Sequence, residues 1–119
     1  MNAFEVPCGQ FTLNTTADVE IRRFVKVNAQ GGCEHATTAE DPIMGVSYTE
    51  AKNGRPLSIA SAGLVMVEAA GTVAAGDMVV PTTDGKATKA TAPTDTNART
   101  AGFFAVTGGS AGDLITIKL

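Results

Sequence analysis

Residues 74–91 read AAGDMVVPTTDGKATKAT, and this stretch decides the fold class because β-prone runs alternate in it with turn residues. Residues 78–82 are rich in Val and Thr, which favour strands, and Asp84-Gly85 is a strong hairpin signal. A shorter version of the stretch, SAGDLITIKL, lies at residues 110–119. The same Ala-Gly-Asp sequence therefore precedes a strand twice, which predicts a protein built from β-hairpins.

Short runs rich in Val, Ile, Thr and Phe recur along the chain, each bounded by Gly, Pro, Asn or Asp. Apolar residues at helical spacing never extend past about two turns, and the one weak helix candidate is residues 95–100. The predicted strands are 24–28, 43–49, 57–61, 64–68, 78–82, 102–106 and 114–119. In the last of them, Leu114, Thr116 and Lys118 alternate with an apolar set, as in a small barrel or sandwich.

Six residues carry the predicted turns. Gly76 and Gly112 supply a positive φ before a strand, and Asp77 and Asp113 accept hydrogen bonds from nearby backbone N–H groups. Neither aspartate has a His, Cys or second acid at ligand spacing, so a turn role is favoured over a metal role. Asn53-Gly54 and Asp84-Gly85 predict hairpins with type I′ turns, in which both central residues have positive φ.

The two halves of the sequence resemble each other weakly. The segment from Val25 to Thr37 aligns with residues 79–91, Gly45 aligns with Gly102, and Gly54 aligns with Gly112. Each half reads as strand, Gly turn, strand, loop, strand, Gly turn and closing strand. This order predicts a structural duplication whose halves are bridged by residues 60–77.

Composition and charge limit the function classes. The 119 residues form one domain, and 19 of them are alanine, so the apolar core is thin and a partner surface is expected to contribute folding energy. The net charge is −3 and the nine basic residues are scattered, which argues against direct nucleic-acid binding. We see no signal peptide in residues 1–10 and no membrane span, so we expect synthesis in a cytosol and no membrane partner.

Residues suited to catalysis or metal binding are scarce. His35 is the sole histidine, and Cys33 lies two residues before it, so the two would share one face of a strand. A Cys-His pair is conceivable, but a half-buried thiol beside a polar strand residue is favoured. With the distant Cys8 the set still lacks a fourth zinc ligand, and both thiols are expected to be free. The sequence therefore predicts no catalytic, cofactor-binding or metal site, and no enzyme activity.

Residues 1–18 differ from the remainder of the chain. The segment carries four apolar residues, Phe4, Val6, Phe11 and Leu13, but Pro7 and Gly9 break any strand register. We therefore predict an extended N-terminal arm at residues 1–18 that docks onto a partner, followed by a single β-rich domain at residues 19–119. The alternative is that the segment forms an edge strand of the domain.

The motifs AGDMVVPTTDGKATKAT, RTAGFFAV and AGDLITIKL together resemble those of the tailed-bacteriophage capsid decoration, or cement, proteins. The resemblance covers residues 20–119, although GGCEHATT carries a Cys-x-His that the family does not require. It implies an all-β fold, a small β-barrel or β-tulip-like domain with short strands and an N-terminal arm. It also implies a homotrimer on the outer capsid surface.

The function implied by this resemblance is structural. Such trimers bind the major capsid protein at three-fold and quasi-three-fold positions of the icosahedral head and stabilise the expanded capsid, without a cofactor. Two alternatives stay open. One is another β-rich phage module, such as a tail-tube, head-fibre or adhesion protein, and the other is a small binding domain or metal-dependent enzyme that uses Cys33 and His35.

Overall fold

The computed structural model describes residues 3–38, 41–90 and 103–119 of the chain. Within these residues every regular element is a β-strand, so the predicted all-β class is confirmed. None of the described residues forms a helix long and apolar enough to cross a membrane. The weak helix candidate at residues 95–100 lies outside the described residues. The strands are β1 (Val6–Asn14), β2 (Phe24–Val27), β3 (Cys33–His35), β4 (Ile43–Ser47), β5 (Pro56–Glu68), β6 (Val79–Pro81), β7 (Ala87–Lys89), β8 (Phe104–Ala105) and β9 (Leu114–Lys118).

Strands β1 to β5 close into a small barrel, which we call the first barrel. β1 pairs with β5, β5 with β4, β4 with β2, and β2 with β3, all antiparallel. The ring closes where Thr15, just after β1, forms a parallel bridge with Cys33 of β3. The interior contains Val19, Val25, Cys33, Leu57 and Ile59, against which Phe11, Leu13, Met44 and Ala51 pack.

The later part of β5 begins a second barrel of the same design. β5 pairs with β9 from Leu64 to Glu68, β9 pairs with β8, and β6 pairs with β7. A bridge between Met78 and Phe104 joins β6 to β8, and a parallel bridge from Ala69 to the start of β7 closes the ring. The 13-residue strand β5 therefore belongs to both barrels.

The two barrels repeat the same backbone pairings at equivalent residues, and this confirms the predicted duplication. The matching pairs are Val25–His35 with Val79–Lys89, Thr15–Cys33 with Ala69–Ala87, Val19–Ala51 with Val73–Gly109, and Val46–Ala60 with Phe104–Lys118. The division of the chain differs from the prediction, because residues 64–77 are part of the second barrel and do not merely bridge the halves. Their counterparts in the first barrel are β1 and the residues that follow it.

The prediction that residues 1–18 have no fold of their own needs correction for residues 6–14. These residues form β1, which pairs with β5 from Val6 opposite Leu64 to Asn14 opposite Pro56. Pro7 and Gly9 obscure the strand in the sequence, since the register shifts beside them and a bulge absorbs the irregularity. Residues 6–14 are therefore an edge strand of the domain, as in the alternative, and a docking role for residues 1–18 stays a prediction.

The predicted turn type is also wrong at both hairpin signals. Gly54 and Gly85 have φ of 84° and 79°, but Asn53 and Asp84 do not have positive φ. A type I′ turn requires positive φ at both central residues. Gly85 N instead donates to Thr82 O, which fits a type I turn followed by a glycine in the left-handed region.

The barrels pack together through the outer face of the first. Phe24, Val46 and Ala60 lie on that face, yet they are buried because they join the hydrophobic cluster that includes the second barrel's interior. Arg23 lies beside them with 6% of its surface exposed. Its guanidinium group pairs with Glu68 at 3.6 Å and with the Asp84 carboxylate of the β6–β7 turn at 3.9 Å, so the buried charge is compensated at the junction.

Candidate interaction surface

The N-terminal residues 3–5 lie against the outer face of the second barrel. Phe4 N donates to Thr116 Oγ1 at 2.7 Å, and the same hydroxyl donates to Phe4 O at 2.6 Å. The Glu5 carboxylate accepts a hydrogen bond from Met66 N at 3.0 Å and forms an ion pair with Arg22. The segment before β1 is therefore tied to the domain by its backbone and by one carboxylate.

Strand β1 has one inward and one outward face. Its burial alternates strictly along the strand, with every second side chain exposed. Phe11 and Leu13 point inward and pack against the first barrel's core, whereas Val6 is 56% exposed. The other exposed side chains of β1, at Cys8, Gln10, Thr12 and Asn14, are uncharged. Of the four predicted docking residues, Val6 alone therefore presents its side chain strongly to solvent.

The outer edge of β1 has no paired strand among the described residues from Val6 to Leu13. Backbone N–H and C=O groups on an open edge can pair with a strand of another protein. Natural edge strands usually prevent such pairing with charged side chains, and the exposed face of β1 carries none. We call this feature the β1 edge.

A second surface feature is a row of side chains across β1, β5, β9 and β8. Val6 pairs with Leu64, Leu64 with Lys118, Lys118 with Phe104, and Phe104 bridges to Met78. Directly paired residues of antiparallel strands project their side chains to the same face. These five residues therefore share one outer face, on which Phe104 is 38% exposed. We call them the apolar row, because all but Lys118 are apolar.

The apolar row is only partly visible in the sequence. The alternation in β9 places Lys118 and Leu114 on the face opposite the buried Ile115 and Ile117, and Leu114 is 43% exposed. The pairing of Lys118 with Phe104 across β8 and β9 is a long-range contact that periodicity within one strand does not reveal.

The predicted turn residues lie in two equivalent turns. Gly76 has φ 91° and Gly112 has φ 89°. Asp77 Oδ2 accepts a hydrogen bond from Ala74 N, and Asp113 Oδ2 accepts one from Ser110 N, each at 2.9 Å. Both carboxylates thus fix the turn that leads into the next strand pair.

Cys33 and His35 do not act on each other. The Cys33 thiol is buried in the first barrel and points to the carbonyls of Leu13 and Asn14, at 3.9 and 3.6 Å. Burial, with a smaller effect from Glu34, raises the pKa of this thiol, which opposes formation of a nucleophilic thiolate. His35 Nε2 instead accepts a hydrogen bond from Glu20 N at 3.0 Å.

The electrostatics of β3 fit a structural role. Burial, followed by the charge of Arg23, lowers the pKa of His35, so the neutral imidazole that accepts the Glu20 hydrogen bond is favoured. Cys33 occupies the position that Ala87 fills in the second barrel, where a small buried side chain closes the ring. Among the described residues there is no group of three or more side chains able to hold a metal ion.

Comparisons with known proteins identify the class. The family model of the XM1 gp53 minor capsid protein matches residues 4–119. The crystal structure of the head fiber gp8.5 N base in bacteriophage phi29 has a TM-score of 0.74 and 20% sequence identity, over 93% of this chain and 92% of that chain. At this identity the likeness shows the fold alone. No curated protein matches the sequence.

The family match defines the class of this protein as a phage capsid-associated protein. The chain belongs to the XM1 gp53 minor capsid protein family, whose model spans nearly all of it. The resemblance to phage capsid proteins seen in the sequence is confirmed at this level.

Proposed function

We propose that this protein is a decoration, or cement, protein of the phage head. Homotrimers bind the outer surface of the icosahedral capsid at three-fold and quasi-three-fold positions, contact the major capsid protein and stabilise the expanded shell. The match of residues 4–119 to a minor capsid protein family carries this proposal. The chain is made in the host cytoplasm and acts on the assembled virion.

We assign capsid attachment to the N-terminal region through the β1 edge. Phe11 and Leu13 are used inside the first barrel, so the free contact groups of this region are the backbone of β1 and its exposed side chains. An extended segment of the major capsid protein can add to this edge as a further strand, with main-chain hydrogen bonds supplying affinity. In this proposal residues 1–18 still dock onto the capsid, but they do so through strand β1 and not as a free arm.

Stabilisation of the capsid follows from mass action. A ligand that binds the expanded shell and not its precursor or its dissociated subunits lowers the free energy of the expanded shell in proportion to RT ln(1 + [L]/Kd). Three linked copies engage three neighbouring sites, so weak contacts combine into strong attachment. Neither effect requires a catalytic group.

The test uses purified protein and heads that lack it. Thr12→Lys places a charge on the β1 edge, and Thr72→Lys places the same charge at an exposed position of the second barrel. We expect Thr12→Lys to co-sediment with heads at least tenfold more weakly than wild type, with unchanged thermal unfolding, and Thr72→Lys to bind as wild type. Equal binding of both variants would contradict attachment through the β1 edge.

Stabilisation of the shell is measured separately. Heads saturated with wild type should release DNA at a higher temperature than bare heads.

A second candidate function is the base of a head fibre. The fold shared with the phi29 head fiber N base favours it. A fibre base attaches an appendage and leaves the stability of the shell unchanged. Equal DNA-release temperatures for heads with and without the protein, together with loss of a fibre in its absence, would favour this function over cementing.

A further inference from the structure

The duplication allows the surface of the second barrel to be compared with the same surface of the first. Phe104 and Lys118 of the second barrel take the places of Val46 and Ala60 in the first. Val46 and Ala60 are 1% and 0% exposed, because the second barrel covers them. Phe104 is 38% exposed, and Lys118 is exposed as well. Among the described residues, the position that the second barrel covers in the first repeat is thus exposed at Phe104 in the second.

The covering element in the first repeat is the turn at residues 82–86. Phe24 N donates to Gly85 O at 2.7 Å, and Asp84 O accepts a hydrogen bond from Arg23 at 3.1 Å. The approach is close, since a Cβ at Gly85 would lie 2.7 Å from Phe24 O. A glycine turn of one barrel therefore seats directly on the outer face of the other.

The equivalent turn of the first barrel, at residues 28–32, contacts Thr16 through Asn28, but its tip at Gly31 is open. It repeats the same hydrogen bonds, with Gly31 N donating to Asn28 O where Gly85 N donates to Thr82 O. Gly31 has φ 80°, and no described atom lies within 4 Å of a Cβ built there. Within the described residues, the tip of this turn at Gly31 and the part of the outer face at Met78 and Phe104 therefore lack the contact that their counterparts make internally.

We propose that a second copy of this chain covers the apolar row, with its turn at residues 28–32 seated on Met78 and Phe104. This inference rests on the self-association in the proposed function and names the surfaces that carry it. The contact is heterologous, because each copy uses a turn of its first barrel and a face of its second. Such contacts close into a ring when the rotation permits, and otherwise extend as a fibre.

The chemistry of the two surfaces is compatible. In the internal contact Arg23 of the covered face pairs with Asp84 of the turn. In the contact between copies, Asp77 takes the place of Arg23 on the face, and Gln30 takes the place of Asp84 in the turn. A glutamine amide donates to a carboxylate, so the pair is matched without a second charge. Lys118 stands where Ala60 stands in the first barrel and places an ammonium group between Leu64 and Phe104 of the row.

Two pairs of variants test the contact. Phe104→Lys disrupts the row, and Ile21→Lys is its control, because Ile21 is 41% exposed and lies off the row. Gly31→Asn adds a side chain to the docking turn, and Gly54→Asn is its control, since Gly54 has φ 84° and an equally open surrounding. Asparagine tolerates positive φ, so both glycine variants should fold.

Native mass spectrometry and light scattering of the full chain measure the outcome. We expect wild type and both controls to form trimers and both test variants to be monomers with unchanged circular dichroism. A mixture of Phe104→Lys and Gly31→Asn chains retains one intact contact per pair and should give dimers and nothing larger. Trimers that persist in both test variants would overturn the inference and leave the trimer proposal standing.

Two other outcomes are equally decisive. An open ladder of wild-type oligomers that both test variants abolish would support the contact and overturn the trimer. Wild type that stays monomeric at high micromolar concentration would overturn the inference, while capsid attachment is measured separately by co-sedimentation.

Discussion

At the scale of single residues, replacing a turn glycine by alanine lowers the free energy of unfolding by different amounts at different turns. A Cβ at Gly76 would meet no described atom within 4 Å, so Gly76→Ala costs only the strain of positive φ, about 1–2 kcal/mol. At Gly85 the same change also meets Phe24 O at 2.7 Å and adds about 1–3 kcal/mol of overpacking. Urea unfolding of both variants measures the difference, and equal losses would mean that the barrels do not meet at this turn.

Asp41 makes stability depend on pH in the acid range. Burial opposes its ionisation, but hydrogen bonds from Thr37 and Thr38 N–H groups, the Thr37 hydroxyl and nearby Lys26 lower its pKa from 3.8 to about 2. Because the folded-state pKa is depressed, the stabilisation is complete above pH 3.8 and is lost as the pH falls towards 2. Asp41→Asn should therefore be less stable than wild type at pH 5, with a gap that narrows by pH 2. Parallel pH curves for the two proteins would be inconsistent with this origin.

At the scale of elements, β1 is part of the folding unit. Deleting residues 1–12 removes most of the pairing with β5, the inward Phe11 and the Phe4 and Glu5 hydrogen bonds. We expect the deletion to lower the free energy of unfolding by at least about 3 kcal/mol, since loss of an inward phenylalanine alone costs about that much. Val6→Ser is the control and should change stability by less than about 0.5 kcal/mol, because Val6 is 56% exposed. A truncated chain with the melting temperature of wild type would instead support the prediction that the segment is an arm outside the folded domain.

The sequence predicts elements well where local chemistry decides them. The runs at β2, β4, β6 and β9 agree with the predicted strands to within two residues. The sequence leaves β1 open as an alternative to a free arm, because Pro7 and Gly9 interrupt the pattern and only pairing with β5 shows that a bulge absorbs them. Likewise, residues 57–61 and 64–68 read as two strands, whereas Gly63, at φ 92°, lets one continuous strand change barrels.

At the scale of the whole molecule, the order of strands and turns in the sequence is sufficient to predict a duplication. Closure of the barrels is not predictable in this way, because it depends on single bridges such as Thr15 to Cys33 and Ala69 to Ala87. The apolar row is not predictable from the sequence for the same reason. Val6 and Phe104 are far apart in the chain, and they lie on one face only because β5 and β9 pair between them. Surfaces assembled from distant strands need the three-dimensional register.

We propose that this protein decorates the outer capsid surface as a homotrimer. The decisive experiment is a cryo-electron microscopy reconstruction of heads that lack the protein, compared with the same heads after incubation with it. We predict added density of three double-barrel domains at the three-fold and quasi-three-fold positions, with β1 facing the major capsid protein. Added density confined to the vertices, the tail or the base of a fibre would contradict the claim.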